Sequence, residues 1–134
     1  KSNNTEIPEG IKILYAEDNP VNQRVTKLLL QRLGLKCDVA EDGLIAFQKY
    51  QNSAYDLILM DMQMPELDGI QSTQKIREYE EKNNIESPVY IVAVTANAFA
   101  EDKQRCFDAG MNDYISKPFK EEELKKVILN AVQN

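Results

Sequence analysis

Short apolar runs and longer amphipathic runs alternate five times along this chain of 134 residues. The short runs are too brief for helices of ordinary length, which favours strands. The longer runs repeat their apolar residues every three or four positions, which favours helices. The predicted strands lie at 11–16, 36–40, 56–60, 89–94 and 113–116. Because each return to a parallel strand needs a right-handed crossover, this alternation predicts a parallel sheet with helices on both faces.

The predicted helices follow the strands in turn. The first begins at the Asn19-Pro20 pair and ends at Gly34, since asparagine caps helices, proline suits their first position and glycine favours their end. The others are expected at 42–51, from Ile70 through Tyr79, at 98–109 and at 121–132. These five βα units predict an α/β fold, a flavodoxin-like (βα)5 three-layer sandwich whose five-stranded parallel sheet has the order 2-1-3-4-5.

Length and composition limit the classes of function. The length fits one domain, and the polar, aperiodic segment 1–9 indicates a tail or linker before a domain at 10–134. A net charge of −6 gives no sign of a nucleic-acid-binding face. The chain has no histidine, which excludes a His-based triad, a His metal site and a phosphohistidine of its own. Cys37 and Cys106 match no metal spacing and are expected to be reduced and buried, which favours a reducing compartment.

Polar residues follow the predicted strands at their carboxyl ends, where open parallel sheets bind ligands. In the order 2-1-3-4-5, strands 1 and 3 are neighbours, so Glu17, Asp18 and Asp61 are expected to crowd together. Close carboxylates repel unless a cation joins them, and their oxygens suit Mg²⁺, which often shares its shell with a phosphate. The full set of strand-end residues is Glu17, Asp18, Glu41, Asp42, Asp61, Thr95 and Lys117.

Each of these residues also has an ordinary structural explanation. Glu17 and Asp18 could favour the positive end of the following helix. Asp61 could end its strand in a turn, Thr95 could cap a helix, and Lys117 could extend into solvent. An acidic pair, an aspartate, a hydroxyl and a Lys-Pro at the ends of four strands nevertheless form a joint pattern. That pattern favours a pocket for a divalent cation and a phosphoryl group.

The motifs "YAEDNPVN", "DLILMDMQMPELDG", "VAVTANA" and "DYISKPF" resemble the receiver domain of two-component response regulators. The similarity covers about 11–132, and "AGMNDYISKPF" looks most like receivers attached to hybrid histidine kinases. The resemblance implies a phosphoacceptor domain that takes its phosphoryl group from a phosphohistidine. The donor would be a histidine kinase domain or a histidine phosphotransfer protein. The domain would relay the signal by a conformational switch or by passing the phosphate on.

The resemblance also implies a role for each matching position. Asp61 would be the phosphoacceptor. Asp18 and Asp61 would ligate Mg²⁺ directly together with the backbone carbonyl of Gln63, and Glu17 would hold the metal mainly through water. Mn²⁺, which prefers similar ligands, is expected to substitute. Family members commonly have Asp-Asp where this chain has Glu-Asp, which leaves the coordination by Glu17 open.

The remaining implied roles concern the phosphoryl group and its signal. Thr95 would hydrogen-bond the phosphoryl group and Lys117 would pair with it. Tyr114 would be a switch aromatic, or alternatively an ordinary half-buried aromatic on an edge strand. Pro65 and Gly69 would shape the loop that follows the acceptor.

Two other functions are weighed against this one. A phosphohydrolase would also use an aspartate nucleophile on a parallel sheet, but it typically has a second aspartate two residues later, where this chain has Gln63. A pseudo-receiver that only binds partners is disfavoured because all the pocket residues are present. We therefore expect no stand-alone enzyme, only a domain that promotes its own phosphorylation and dephosphorylation. We expect it in the cytoplasm, without direct contact to nucleic acid or membrane, and a membrane anchor in a parent protein is compatible with this.

Overall fold

Five strands and five helices alternate in the computed structural model, which describes residues 7–96 and 100–133. The sheet has the order β2-β1-β3-β4-β5, and all neighbouring pairs are parallel. The predicted α/β fold and its strand order are therefore confirmed. The strands are β1 (Ile13–Ala16), β2 (Cys37–Ala40), β3 (Leu57–Asp61), β4 (Tyr90–Thr95) and β5 (Asp113–Ser116). The helices are α1 (Pro20–Arg32), α2 (Gly43–Asn52), α3 (Gly69–Lys82), α4 (Ala100–Ala109) and α5 (Glu121–Gln133).

Some of the predicted segments extend outside the described residues. Residues 98 and 99 of the predicted fourth helix lie outside them, as do residues 1–6 of the predicted tail and Asn134 at the end of the predicted domain. Ile7, near the end of the predicted tail, is half-buried and packs against the core. None of the helices within 7–96 and 100–133 has the length and apolar character that crossing a bilayer requires.

The core lies on both faces of the sheet, because alternate side chains of each strand point to opposite sides. One cluster joins the sheet to α1 and α5, and the other joins it to α2, α3 and α4. β3 lies at the centre of the sheet and is buried throughout its length, as its uninterrupted apolar sequence predicts. Two layers of helices therefore enclose the sheet, which confirms the predicted three-layer sandwich.

Asparagine and aspartate side chains begin three of the helices. The Asn19 side chain accepts hydrogen bonds from the backbone N–H groups of Val21 and Asn22 at 2.8 and 3.1 Å, with Pro20 at the first helical position. Asp42 caps α2 and Asp68 caps α3 in the same way. Each cap supplies an acceptor to N–H groups that have no partner inside the helix.

The apolar periodicity of α1 marks a face that points away from the core. Val21, Val25 and Leu28 are 64%, 52% and 57% exposed, although they follow one another at helical spacing. The buried residues of α1 are Thr26 and Leu30. We call the exposed row of Val21, Val25 and Leu28 the α1 stripe.

The two cysteines differ in burial. Cys106 is buried on α4, as predicted. Cys37 is only half-buried, which corrects the expectation that both are buried. It belongs to β2, an edge strand whose side chains are covered less completely than those of the central strands. Both cysteines are free thiols.

The burial of α5 gives a first testable prediction. Ile128 has no exposed surface, so Ile128→Ala leaves a cavity in the core and should lower the free energy of unfolding by about 2–5 kcal/mol. Ile85 is 39% exposed, and Ile85→Ala should cost less than about 1 kcal/mol. Urea unfolding of both variants tests this, and equal losses would contradict the described packing.

Candidate functional site

The carboxyl ends of four strands open into one cavity of about 720 Å³. Glu17 directly follows β1 and Asp61 ends β3, and these two strands are hydrogen-bonded neighbours. Thr95 ends β4, Lys117 directly follows β5, and both line the same cavity. The cavity has room for a hydrated cation and a phosphoryl group, since one water occupies about 30 Å³ of liquid. The structure therefore brings these four predicted residues together.

Three carboxylates form a tight cluster in this cavity. Glu17, Asp18 and Asp61 can each offer one oxygen, and these oxygens lie within 4.8 Å of one another. Glu17 and Asp61 are 1% and 5% exposed, whereas Asp18 is exposed. The ligand set of three carboxylate oxygens fits a hard divalent cation such as Mg²⁺ better than it fits zinc or copper, which favour nitrogen and sulfur.

Lys117 binds two of these acids at once. Its Nζ lies 2.9 Å from Asp61 Oδ2 and 3.0 Å from Glu17 Oε1. The Lys117 backbone N–H also donates to the Thr95 carbonyl at 2.8 Å, which fixes the lysine at the end of β5, and the Lys117–Pro118 peptide is cis. When all are ionised, three carboxylates and one ammonium group carry a combined charge of −2. A divalent cation would neutralise that charge.

Burial and hydrogen bonding shift the pKa values of Asp61 and Glu17 in opposite directions. Burial raises the pKa of Asp61 to about 6, against the hydrogen bonds from Lys117 and the Gln63 backbone N–H. Burial also acts to raise the pKa of Glu17, but hydrogen bonds from Asp61, the Asn19 N–H and Lys117 outweigh it and hold that pKa below its ordinary value. Of these two carboxyls, Asp61 therefore retains its proton to the higher pH in the absence of a cation.

The charge of Lys117 is stabilised by the same contacts. Burial acts to lower its pKa, but the hydrogen bonds to Asp61 and Glu17 and their negative charges raise it above the ordinary value. The ammonium group is therefore positive throughout the physiological range. It is a permanent positive charge within hydrogen-bonding distance of the Asp61 carboxylate.

A glycine makes the close packing behind Asp61 possible. A Cβ atom on Gly69 would lie 2.4 Å from the Asp61 carbonyl oxygen, closer than any real contact allows. The Gly69 N–H donates to the Met62 carbonyl at 3.2 Å, which closes the loop after β3. Pro65 lies on this loop and lines the cavity. The absence of a side chain at position 69 therefore lets α3 begin directly against the backbone of Asp61.

Other predicted residues take different positions. The Gln63 backbone N–H donates to Asp61 Oδ1 at 3.1 Å, and Gln63 lines the cavity. Asp42 is used as the cap of α2, and Glu41 is exposed; neither lines the cavity. Tyr114 lies on β5 and packs against α4.

The ring of Tyr114 has two contacts on α4. It makes an edge-to-face contact with Phe107, with ring centroids 6.3 Å apart. Lys103 Nζ lies 4.5 Å from the centroid of the Tyr114 ring. These contacts hold the half-buried ring outside the cavity, beside the strand that ends in Thr95.

Several residues of the site are absent from the sequence prediction. The Tyr15 hydroxyl donates to Glu17 Oε1 at 3.0 Å, and the Gln23 side chain donates to the Glu17 carbonyl at 2.6 Å. Tyr15 precedes Glu17 by two positions, so the alternation of a strand could have placed both on one face. Asp102 and Arg105 of α4 also line the cavity. No sequence pattern indicates them, because their position depends on how α4 packs.

Comparisons with known proteins agree on one family. The family model of the response regulator receiver domain matches residues 13–129. Hybrid signal transduction histidine kinase K of Dictyostelium discoideum is 44% identical over 92% of this chain and 10% of its own length. Hybrid signal transduction histidine kinase B of the same organism is 48% identical over 84% of this chain and 6% of its own length. The chain thus spans a tenth or less of the length of these relatives.

Solved structures give the same result. The receiver domain of the sensor histidine kinase PA1611 from Pseudomonas aeruginosa PAO1, with magnesium coordinated in its active site cleft, is 42% identical. Its TM-score is 0.82, over 93% of this chain and 99% of that one. A co-crystal structure of the Saccharomyces cerevisiae histidine phosphotransfer protein Ypd1 and the receiver domain of Ssk1 matches at 34% identity. Its TM-score is 0.86, over 91% of this chain and 88% of that one.

The raised pKa of Asp61 predicts how stability depends on pH. Asp61 is a weaker acid in the folded protein than in the unfolded chain. Its effect is therefore to lower the free energy of unfolding as the pH rises from about 4 to about 6, and the loss is absent below about pH 4. In metal-free buffer, Asp61→Asn should therefore be more stable than the wild type at pH 7 by about 1–3 kcal/mol, with no such gain at pH 4. Urea unfolding at several pH values measures this difference.

The matched control is Asp56→Asn, which changes an exposed aspartate outside the cavity. It should show no gain that appears between pH 4 and 7. A loss of stability at pH 7 in Asp61→Asn would contradict the raised pKa of Asp61.

Proposed function

We propose that this chain, which belongs to the response regulator receiver domain family, accepts a phosphoryl group from a phosphohistidine onto Asp61. One observation carries the proposal. The buried carboxylate of Asp61 lies beside two further carboxylates and is hydrogen-bonded to the ammonium group of Lys117. This combination provides a nucleophile, a cation site and a positive charge in one cavity.

The proposed transfer uses Asp61 as the nucleophile. A carboxylate oxygen forms a bond to phosphorus while the bond from phosphorus to the donor imidazole nitrogen breaks, and the electron pair returns to the imidazole. Lys117 Nζ, 2.9 Å from Asp61 Oδ2, would pair with the phosphoryl oxygens. The Thr95 hydroxyl would hydrogen-bond another phosphoryl oxygen. Both residues would act mainly through position and charge.

We propose Mg²⁺ as the cation of this site. Asp18, Asp61 and the backbone carbonyl of Gln63 would ligate it, and Glu17 would act mainly through water. When bound, the metal supplies positive charge that offsets the charge of the transferring phosphoryl group. The magnesium in the cleft of the PA1611 receiver supports this proposal. Mn²⁺ is proposed as a substitute because it prefers similar ligands.

We propose a population shift as the response to phosphorylation. A hydrogen bond to the phosphoryl group would draw Thr95 towards Asp61. Tyr114 lies on the neighbouring strand, where β4 and β5 are paired, and rests against α4. Phosphorylation would thus favour a different packing of the Tyr114 ring against α4, and a partner could recognise that surface.

The proposed partner carries the phosphohistidine, either on a histidine kinase domain or on a histidine phosphotransfer protein. The α1 stripe is the surface that we propose it contacts. Asn22, which lies on α1 beside the stripe, lines the cavity, so the stripe is continuous with the cavity rim. Burial of its apolar side chains would supply docking energy that the acidic cavity does not. The complex of the Ssk1 receiver with Ypd1 supports a partner of this kind.

The remaining proposals concern location, nucleic-acid binding and domain bounds. The two free cysteines favour the cytoplasm, and the net negative charge disfavours direct binding to nucleic acid. The receiver domain is proposed to span 10–134, after a tail or linker at 1–9. A stand-alone phosphohydrolase is disfavoured because Gln63 stands where such enzymes have a second aspartate.

Chemical labelling tests the proposed acceptor. Incubation with acetyl phosphate and Mg²⁺ should add one phosphoryl group at Asp61, and the product should be base-labile, as an acyl phosphate is. Asp61→Asn should abolish the label, because an amide cannot replace the carboxylate nucleophile. Peptide mapping by mass spectrometry locates the phosphate.

Asp68→Asn is the control for this labelling. Asp68 lines the same cavity outside the carboxylate cluster, and asparagine also caps helices, so this variant should be labelled normally. A wild-type chain that is not labelled, or a label that persists in Asp61→Asn, would refute the proposal. Sustained hydrolysis of a phosphate monoester would favour the phosphohydrolase instead.

A pair of leucines tests the docking surface. Leu28→Ser in the α1 stripe should slow transfer from a phosphorylated histidine phosphotransfer protein about tenfold, because it removes apolar area that docking buries. Labelling by acetyl phosphate should not change, since that donor needs no docking. Leu44→Ser changes an exposed leucine on α2 and should leave both rates unchanged. Equal slowing by both variants would exclude the stripe as the docking surface.

A further inference from the structure

The side chain of Tyr15 carries a hydroxyl group into an apolar cluster of the core. Tyr15 is 1% exposed and belongs to the apolar cluster that joins the sheet to α1 and α5. A phenylalanine would satisfy the packing of that cluster, whereas a buried hydroxyl needs a hydrogen-bond partner. Its partner is Glu17 Oε1, at 3.0 Å. The hydroxyl therefore serves the carboxylate cluster rather than the core.

A side chain of α1 also interacts with the Tyr15 phenol. Burial raises the pKa of Tyr15, and an interaction with the side chain of Thr26, which is 3% exposed on the buried face of α1, acts to lower it. Thr26 is thus a polar residue on the helix face that packs against the core. Hydrogen bonds connect Tyr15 to Glu17, and Lys117 connects Glu17 to Asp61.

Glu17 depends on these bonds because its side chain is long. It has one more rotatable bond than the aspartate that the family commonly carries at this position. Its Oε1 accepts from Tyr15 and from Lys117, and its Oε2 accepts from the Asn19 N–H at 3.1 Å. Without the tyrosine, Oε1 would lose one of these two hydrogen bonds, and the other comes from Lys117, which also binds Asp61.

We propose that Tyr15 is a positioning residue of the phosphoacceptor site. Its hydroxyl holds the longer Glu17 side chain where an aspartate carboxylate would otherwise lie, so that Glu17 supports the cation and Lys117 stays between the two acids. The inference rests on the proposed function. It explains how Glu17 can serve where the family commonly has an aspartate.

A double-mutant cycle tests the inference. The Mg²⁺ dissociation constant is measured by calorimetry for the wild type, Tyr15→Phe, Glu17→Asp and the variant with both changes. Tyr15→Phe should weaken Mg²⁺ binding about tenfold when Glu17 is present, as is usual when a residue that orients a metal ligand is lost. With Glu17→Asp the effect should fall below about twofold, because the shorter side chain withdraws from the hydroxyl by about one C–C bond length.

Tyr50→Phe is the matched control. It removes another hydrogen bond between a tyrosine and a glutamate, from the Tyr50 hydroxyl to Glu80 Oε2 at 2.8 Å, and neither residue lines the cavity. Its Mg²⁺ affinity should equal that of the wild type. Thr26→Val, which removes the interaction with the phenol, should weaken Mg²⁺ binding in the same direction as Tyr15→Phe but by a smaller factor.

The outcomes separate this inference from the proposed function. Equal effects of Tyr15→Phe in both backgrounds, or no effect in either, would overturn the positioning role while Asp61 is still labelled by acetyl phosphate. A wild-type chain that neither binds Mg²⁺ nor is labelled would overturn both. If Tyr15→Phe does not fold, which thermal unfolding shows, an unchanged affinity in Thr26→Val overturns the inference.

Discussion

Repulsion among three carboxylates is the constraint around which this site is organised. Glu17, Asp18 and Asp61 come within 4.8 Å of one another, and two of them are buried. Lys117 offsets only part of the charge, and burial raises the pKa of Asp61 to about 6. The cluster is thus poorly satisfied by the chain alone, and a divalent cation would relieve it. The proposed chemistry follows from the same excess of negative charge, because a site that holds a cation also tolerates the negative charge of a phosphoryl group.

The fold produces this constraint by bringing together residues that lie far apart in the sequence. Parallel strands place all their carboxyl ends at one edge, and the order β2-β1-β3-β4-β5 makes β1 and β3 neighbours. Apolar clusters on both faces hold the strands in register. Gly69 lets α3 pack directly against the Asp61 backbone. Rigid elements therefore hold the proposed acceptor, as a positioning mechanism requires.

Much of this arrangement could be predicted from the sequence, because its signals are local. Alternation and periodicity identify the βα units, and the strand-end rule selects Glu17, Asp61 and Lys117. The burial of individual side chains and the contacts between them are harder to predict from the sequence. Periodicity shows that one face of α1 is apolar but not whether anything covers it, and the structure leaves Val21, Val25 and Leu28 exposed. Likewise, strand-end position did not distinguish the cap Asp42 from a cavity residue, and the contact between Tyr15 and Glu17 required three-dimensional geometry.

The central claim is that three particular carboxylates share one cation. Calorimetric titration with Mg²⁺ tests it most directly, with Glu17→Gln, Asp18→Asn and Asp61→Asn compared with the cavity-lining control Asp68→Asn. The account predicts that each of the first three weakens Mg²⁺ binding, that the two proposed direct ligands matter more than Glu17, and that Asp68→Asn binds like the wild type. Unchanged binding in all three cluster variants, or equal weakening by Asp68→Asn, would contradict it.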